Sequence, residues 1–414
     1  MIDRLPLLFV LLPALVLAYA YLGYPLALIV LGWWRGPRPT PGKPKDWPTV
    51  SITVPAYNEE DSIRATIERL LAVDYPRDRL QLVVVSDASS DGTDAIVQEY
   101  ADQGVELVRC ERRSGKTGAE NAAIPHLRGD IVINTDASVQ VPPQSIRPLV
   151  AAFQDSTVGV ASGFDVSTGS EATDHGAGES GYVGYEMWVR TLETHLGSIV
   201  GASGCLYAIR RSLHATDFPA SLSRDFAAAL IAREHGYRAI SVPGAICYVP
   251  RSSSLRREFR RKARTMARGL QTLWFKRRLL NPFRYGLFAF MLFSHKLARW
   301  LLQPVLLLSG AGLALLAPWS PVAAALASLG VAGLALGWWG WTRASRPGSP
   351  RWLTLAGFVV SSNLASLIAW GRFFRGTANA VWEPTRRTAQ TDSQEVRFQK
   401  GSFRQTSGSS RTQG

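Results

Sequence analysis

A chain of 414 residues with 46% hydrophobic content can bury one sizeable soluble core and still have apolar segments left over, so two compartments are expected. A net charge of +14 calls for an anionic partner, and nucleic acid, acidic lipid and a phosphate-bearing substrate all qualify until the placement of the charges decides. Cys110, Cys205 and Cys247 are isolated and lack metal spacing, which argues against a disulfide framework and a zinc site and suits a reducing compartment.

Leu5 to Trp34 contains no charged residue, and a bilayer crossing needs roughly 20 residues. Ala18-Tyr19-Ala20 has the look of a signal-peptidase site, but the apolar run continues well past it, so residues 1–34 are read as a retained transmembrane helix. Arg35, Arg38, Lys43 and Lys45 follow this span and only Arg4 precedes it, which places the next domain in the cytoplasm. Five prolines between Pro37 and Pro48 make residues 35–49 a stiff linker.

Val50 to Val54 reads as the first strand. A helix follows, with Asn58 and Asp61 as its cap and Ile63, Ile67, Leu70 and Leu71 as its apolar stripe. Leu80 to Val85 is the second strand, ending at Ser86-Asp87; Thr93 to Ala101 returns as a helix, and Val105 to Val108 is the third strand. Gly118 to Leu127 is a helix interrupted by Pro125. It leads into the run Ile131, Val132, Ile133, a strand covered on both faces that delivers Asp136 to its carboxyl end. Strands and helices alternating at this spacing predict a parallel, doubly wound α/β sheet within residues 50–250.

Such sheets bind ligands beyond the carboxyl ends of their strands, where Asp136 falls. A carboxylate there can hold Mg2+ or Mn2+ against a diphosphate, although capping a turn is the plain alternative. No glycine-rich turn follows the first strand, which excludes a dinucleotide site. Gly115-Lys116-Thr117 resembles the end of a phosphate loop whose earlier glycine is replaced by Cys110, which excludes that ATPase class. What remains is a nucleotide site built from polar strand ends. Tyr57 can stack on a base, Glu59 and Asp87 can accept from base or ribose donors, and Lys116 can reach phosphate. Taken singly, each is as well explained by packing, a turn or a solvated charge.

Together, Pro55-Ala56-Tyr57-Asn58-Glu59, Ser86-Asp87 with Ser90-Asp91-Gly92-Thr93, Gly115-Lys116 with Asn121, and Thr135-Asp136-Ala137-Ser138 resemble family 2 glycosyltransferases. The likeness is to the membrane-embedded branch that includes cellulose, hyaluronan and poly-N-acetylglucosamine synthases, and it runs from Val50 to about Trp382. It implies a GT-A type, Rossmann-like α/β domain with a parallel or mixed sheet, joined to transmembrane helices. It further implies a UDP-sugar held by Pro55, Tyr57, Glu59, Asp87, Lys116 and Asp136, a divalent Mg2+ or Mn2+ at Asp136, and transfer with inversion.

Beyond Val150 the chain is glycine-rich from Gly159 to Gly181, which suits a mobile acceptor loop or an ordinary surface excursion equally. Gly197 to Arg211 is similar to the family's acceptor-side loop, with Gly201 and Gly204 letting a hydroxyl approach the donor sugar. Ser223-Arg224-Asp225 opens a helix from Phe226 to His235. Asp225 alone would be a cap; in the family pattern it matches the general base that takes the acceptor's proton. Arg224 stands where the family carries an acid, and its charge would weaken that base unless it points away.

Leu255 to Leu280 is a basic amphipathic helix, the core of an interfacial segment 251–295, whose arginines suit acidic headgroups. Arg261-Lys262-Ala263-Arg264-Thr265 aligns with the Gln-Arg-x-Arg-Trp motif of processive synthases, which makes Arg264 the clamp on the departing diphosphate. Thr265 in place of Trp counts against processive polymerisation. Nucleic acid is a poor partner, because the basic stretch is flanked by membrane segments and lacks interleaved aromatics. Leu297 to Ala317, Pro321 to Trp341 and Leu353 to Trp370 are three expected spans within residues 296–371, and Phe283 to Phe293 is too short to cross and is assigned to the interface. Three spans place the C-terminus outside, whereas Arg372, Arg375, Arg386 and Arg387 argue for inside, and the sequence leaves that parity open. Residues 372–389 are juxtamembrane and 390–414 a disordered tail.

The expectation is a multi-pass protein of the plasma (cell inner) membrane with a cytoplasmic catalytic domain. It would move a hexosyl or N-acetylhexosaminyl group from a UDP-sugar to a hydroxyl of a growing polysaccharide or glycolipid, with membrane lipids as neighbours and room for an accessory membrane subunit. Non-processive transfer to a lipid carrier and a catalytically silent sugar-nucleotide-binding protein are the alternatives.

Overall fold

The computed structural model describes residues 5–36, 42, 44, 46–168, 174–216, 218–250, 255–343 and 350–377. The expected tail 390–414, residues 378–389 of the juxtamembrane segment and part of the proline-rich linker lie outside these residues. The chain opens with helix α1 (Leu5–Arg35). It then builds β1 (Val50–Ala56), α2 (Ile63–Leu71), β2 (Leu80–Ser86), α3 (Thr93–Gln98), β3 (Val105–Arg109), α4 (Lys116–Ala123) and β4 (Ile131–Thr135). After α5 (Ile146–Ala151) come β5 (Val158–Thr168), α6 (Asp174–Leu196), β6 (Leu206–Arg210), α7 (Arg224–Glu234) and β7 (Arg238–Pro250).

The strands form one seven-stranded sheet in the order β3-β2-β1-β4-β6-β5-β7. The first four are mutually parallel, β6 runs against both β4 and β5, and β7 is parallel to β5. The parallel expectation therefore holds as far as β4, and beyond it the sheet is mixed. Every residue of β1 and β4 is buried. Alternate side chains divide between two cores, Ile52, Val54 and Ile133 on one face and Val83, Val85 and Val132 on the other, as the pleat requires. Pro55 fits inside β1 because pairing with β4 stops at Thr53, so its missing N–H falls where that edge is already open.

Three expectations are corrected here. The first helix begins at Ile63, not at Asn58; Asn58 instead adopts φ 52° and its side chain is used on the next loop. The glycine-rich stretch is neither a mobile loop nor a surface excursion over most of its length, but β5 followed by the 23-residue helix α6. Gly159 is there for packing, since a Cβ on it would stand 2.7 Å from the Tyr237 Cβ. The segment Phe283 to Phe293 is not a separate interfacial piece, because residues from Leu287 onward run without a break into the following span.

The remaining helices are α8 (Leu255–Phe275), α9 (Leu287–Leu316), α10 (Pro321–Arg343) and α11 (Arg351–Arg375). Among the described residues α1, α9, α10 and α11 are long and apolar enough to cross a membrane. The apolar face of α8 is covered by α11: Lys262 donates to Ser362 Oγ at 3.1 Å and caps the Phe358 ring, and Trp274 meets Phe373. Leu353, at the start of α11, packs on Gly340 near the end of α10, and Trp370, near its other end, donates to the Trp300 carbonyl midway along α9.

Candidate active site

The loops after β1 and β2 are knitted together. Asn58 Oδ1 accepts from the Ser90 N–H at 2.8 Å, the Glu59 N–H donates to Thr93 Oγ1 at 2.8 Å, and Glu60 Oε2 accepts from the Gly92 N–H at 2.8 Å. Glu59 is buried, and its Oε2 accepts from Ser62 Oγ at 2.5 Å at the head of α2. Tyr57 is half-buried, with the Arg113 guanidinium 3.7 Å above its ring. Asp87, also buried, accepts from the Ser114 N–H and Gly115 N–H, each at 2.7 Å. The Asp87 carboxylate thus shapes the turn from which Lys116 emerges.

Lys116 is the hub of the site. Its Nζ lies 2.6 Å from Asp136 Oδ1 and donates to the Gly204 carbonyl at 2.7 Å, joining groups 20 and 88 residues away in sequence. Burial works against the ammonium, but the carboxylates of Asp136, Glu120 and Asp225 outweigh it and hold Lys116 protonated above its usual range. Gly204 also lies against Asp225, and a Cβ there would run into Asp225 Oδ2. Asp136, Lys116, Gly204 and Asp225 therefore converge at the open end of β4. Gly201 sits earlier in the same loop, facing Phe226.

Asp225 lies in the first turn of α7, where Oδ1 accepts from Ser223 Oγ at 2.6 Å and from the Phe226 N–H at 2.8 Å. Burial would raise its carboxyl, but the Lys116 charge, these two donors and the Arg268 charge win and hold it below the usual carboxylate range. Arg224 points away from it. That guanidinium is buried against the Phe218 ring and donates to the His214 and Thr216 carbonyls and to Asn121 Oδ1.

On α8, Arg264 is half-buried, one turn after Arg261 and one turn before Arg268. Arg261 is paired with Glu258 and feels Asp136 and Cys205; Arg268 is buried, donates to Thr117 Oγ1 at 2.8 Å, and feels Asp225 and Glu120. Sequence reasoning missed Glu120 and Arg268. The signal for both was helical spacing: Glu120 falls one turn after Lys116, and Arg268 one turn after Arg264.

Among the described residues no group of three or more His, Cys, Asp or Glu is placed to hold a metal ion by itself. The end of β4 offers one carboxylate, Asp136, with the half-buried Ser138 two residues on. That donor set fits a Mg2+ or Mn2+ whose shell is completed by substrate phosphates and water, the usual arrangement for ions of this size.

A sheet of this strand order with one reversed strand, and a carboxylate at the end of β4 facing another at a helix start, defines the GT-A class. A mannosyltransferase from Pyrobaculum calidifontis, solved in complex with GDP-Man and Mn2+, superposes with a TM-score of 0.66 at 24% identity, over 90% of this chain and 99% of that one. Residues 51–217 match the family model described as Glycosyl transferase family 2, and the chain carries a family 2 glycosyltransferase domain. It is 37% identical over 107 residues to an undecaprenyl-phosphate 4-deoxy-4-formamido-L-arabinose transferase from Edwardsiella ictaluri, covering 25% of this chain and 33% of that protein. It is 36% identical over 117 residues to a beta-monoglucosyldiacylglycerol synthase from Synechocystis sp., covering 27% and 24%. The matched stretches thus span a third or less of those relatives.

Proposed function

We propose that this protein is a membrane-bound inverting glycosyltransferase that moves a sugar from a UDP-sugar to a hydroxyl of a glycolipid or growing polysaccharide. The observation that carries this reading is the bridge in which Lys116 holds Asp136 on one side and the Gly204 carbonyl, beside Asp225, on the other. A donor diphosphate beside Lys116 and Asp136 places its anomeric carbon toward the acceptor loop. The acceptor oxygen attacks that carbon, the bond from the carbon to the diphosphate oxygen breaks with its electron pair, and the acceptor's proton passes to Asp225. Lys116 and Arg264 meet the charge developing on the diphosphate. A divalent ion held by Asp136 and the donor phosphates would supply further neutralisation of that leaving group. The charge of the bound diphosphate also offsets Lys116 and restores basicity to Asp225. Two of the relatives are named for products built on lipids, which with Thr265 favours a lipid-borne acceptor over a long polymer.

The test is to incubate detergent-purified protein with labelled nucleotide sugars, manganese and a membrane lipid extract. Product length separates polymer from glycolipid. Asp225→Asn should keep donor affinity and lose transfer by about 10²–10⁴-fold; full transfer by that variant would remove Asp225 from the mechanism. Asp136→Ala should weaken manganese-dependent UDP binding by roughly tenfold or more, and an affinity indifferent to both the substitution and a chelator would overturn the metal assignment. Binding without turnover in the unmodified protein would favour the silent sugar-nucleotide binder.

A further inference from the structure

Where α1 and α9 meet α6, both carry a single π turn, Tyr19–Gly23 in one and Phe293–Leu297 in the other. Such turns insert an extra residue and re-aim the side chains around it, and they concentrate at functional places. Here they face each other, with Tyr19 OH 2.6 Å from Ser294 Oγ. Between them and α6 lies a buried ionic cluster that none of the proposed chemistry uses. His295 sets Nδ1 2.6 Å from Glu193 Oε1 and Nε2 2.6 Å from Glu186 Oε1. Tyr24 OH donates to Glu193 Oε1 at 2.5 Å, and Arg299 Nη1 donates to Glu186 Oε2 at 2.7 Å. His295 and Glu193 are 1% and 0% exposed.

The cluster is joined to the site by the chain itself. Glu193 lies three residues before the end of α6, and the acceptor loop that carries Gly201 and Gly204 begins directly after it. Arg35 Nη1, at the end of α1, donates to the Leu196 carbonyl. Lys296 follows His295, and a Cβ on Gly201 would stand 3.6 Å from its Cε and 3.0 Å from the Phe226 ring. Phe226 in turn packs edge-on against Trp300 of α9, and its N–H holds Asp225. The far end of the loop is fixed to β5 through Ser203, which donates to Asp165 at 2.6 Å. Its near end is held on one side by β7, where the Ile199 N–H donates to the Ala239 carbonyl at 2.8 Å, and on the other by the membrane helices through Arg35 and Lys296.

We propose that His295, gripping Glu186 and Glu193 from the π turn of α9, is the positioning residue that sets the acceptor loop over Asp225. The transmembrane helices then act in catalysis as well as in anchoring, and Tyr24, Glu186, Glu193, His295 and Arg299 act through loop placement without touching the donor. This rests on the transferase reading above. A displacement of about 1 Å at a reacting centre is enough to cost on the order of 10²-fold in rate.

The experiment uses the full chain in detergent with Glu193→Gln and the milder Tyr24→Phe, which removes one hydroxyl. Hydrogen exchange at amides 198–202 should quicken by about tenfold or more in Glu193→Gln, with peptides from β1 and β4 unchanged. Transfer to lipid extract should fall by at least about tenfold relative to hydrolysis of the donor by water, with the donor KM unchanged within about twofold. Tyr24→Phe should move both readouts in the same direction by less. Unchanged exchange in both variants, or transfer and hydrolysis falling in parallel, would overturn the proposal. An unmodified protein that neither transfers nor hydrolyses would sink the transferase reading while the exchange measurement still decides the coupling.

Discussion

Glu120 shows how an uncompensated group can sit at the centre of a working site. It is 1% exposed, and neither carboxylate oxygen has a hydrogen-bond partner among the described residues. Burial pushes its carboxyl up to about 7 from 4.5; Lys116 and Arg224 oppose the rise, and Asp225 and Asp136 add to it. A carboxyl raised on folding leaves stability intact below the unfolded value and erodes it as pH climbs through the folded one. The window here is 4.5 to about 7, and the loss levels off at roughly 3 kcal/mol. Glu120→Gln should therefore unfold at a higher temperature than the unmodified protein at pH 8 and at the same temperature at pH 4.5. An equal shift at both values would assign the effect to packing. Arg224 faces Glu120 electrostatically while its own donors go to His214, Thr216 and Asn121. The residue that departs from the family pattern thus points away from Asp225, which the sequence posed as a condition and could not answer.

At the scale of elements, the strands and helices up to β4 were legible because each obeys a local rule: a continuous apolar run for a buried strand, a stripe at helical spacing for a covering helix. The segment holding β5 and α6 was not. Its glycines read as loop, yet Gly159 is required by contact with Tyr237, and the helix that follows is held by partners on α1 and α9. Tertiary contact overrode weak local propensity. The pair α10 and α11 depends on glycine for a different reason, close approach of two helix backbones, since a Cβ on Gly340 would run into the Leu353 carbonyl. Gly340→Leu should separate the pair and lower stability in detergent by about 1–3 kcal/mol. Gly330→Leu, on a stretch of α10 with open surroundings, should leave the unfolding temperature unchanged, and equal losses in both would refute the packing account.

For the whole molecule, the contacts of α11 carry a prediction about the parity left open by the spans. Trp341 at the end of α10 packs on Phe259, and Gly269 lies against Trp300 midway along α9, so α8 touches the end of α10 and the middle of α9. From Leu353 to Trp370, α11 runs beside α8 between those same two contacts. Its C-terminus should accordingly lie on the same side of the membrane as the catalytic domain, with α1, α9 and α10 as the crossings, and Arg372 and Arg375 agree with that side. A reporter fused after Gly414 and an epitope in the catalytic domain should be digested together, or protected together, by protease added to sealed vesicles. Digestion of one alone would make α11 a fourth crossing.

The order of strands and helices through β4, the carboxylate at the end of β4 and the existence of apolar helices were determined by the sequence alone, because periodicity and apolar run length act over a few residues at a time. The tertiary structure decided which distant groups meet: Lys116 with Asp136 and Gly204, Arg224 with His214, α8 with α11, and His295 with Glu186 and Glu193. Each of these depends on a fit between segments brought together only when the chain folds, and no local rule of spacing or propensity carries that information.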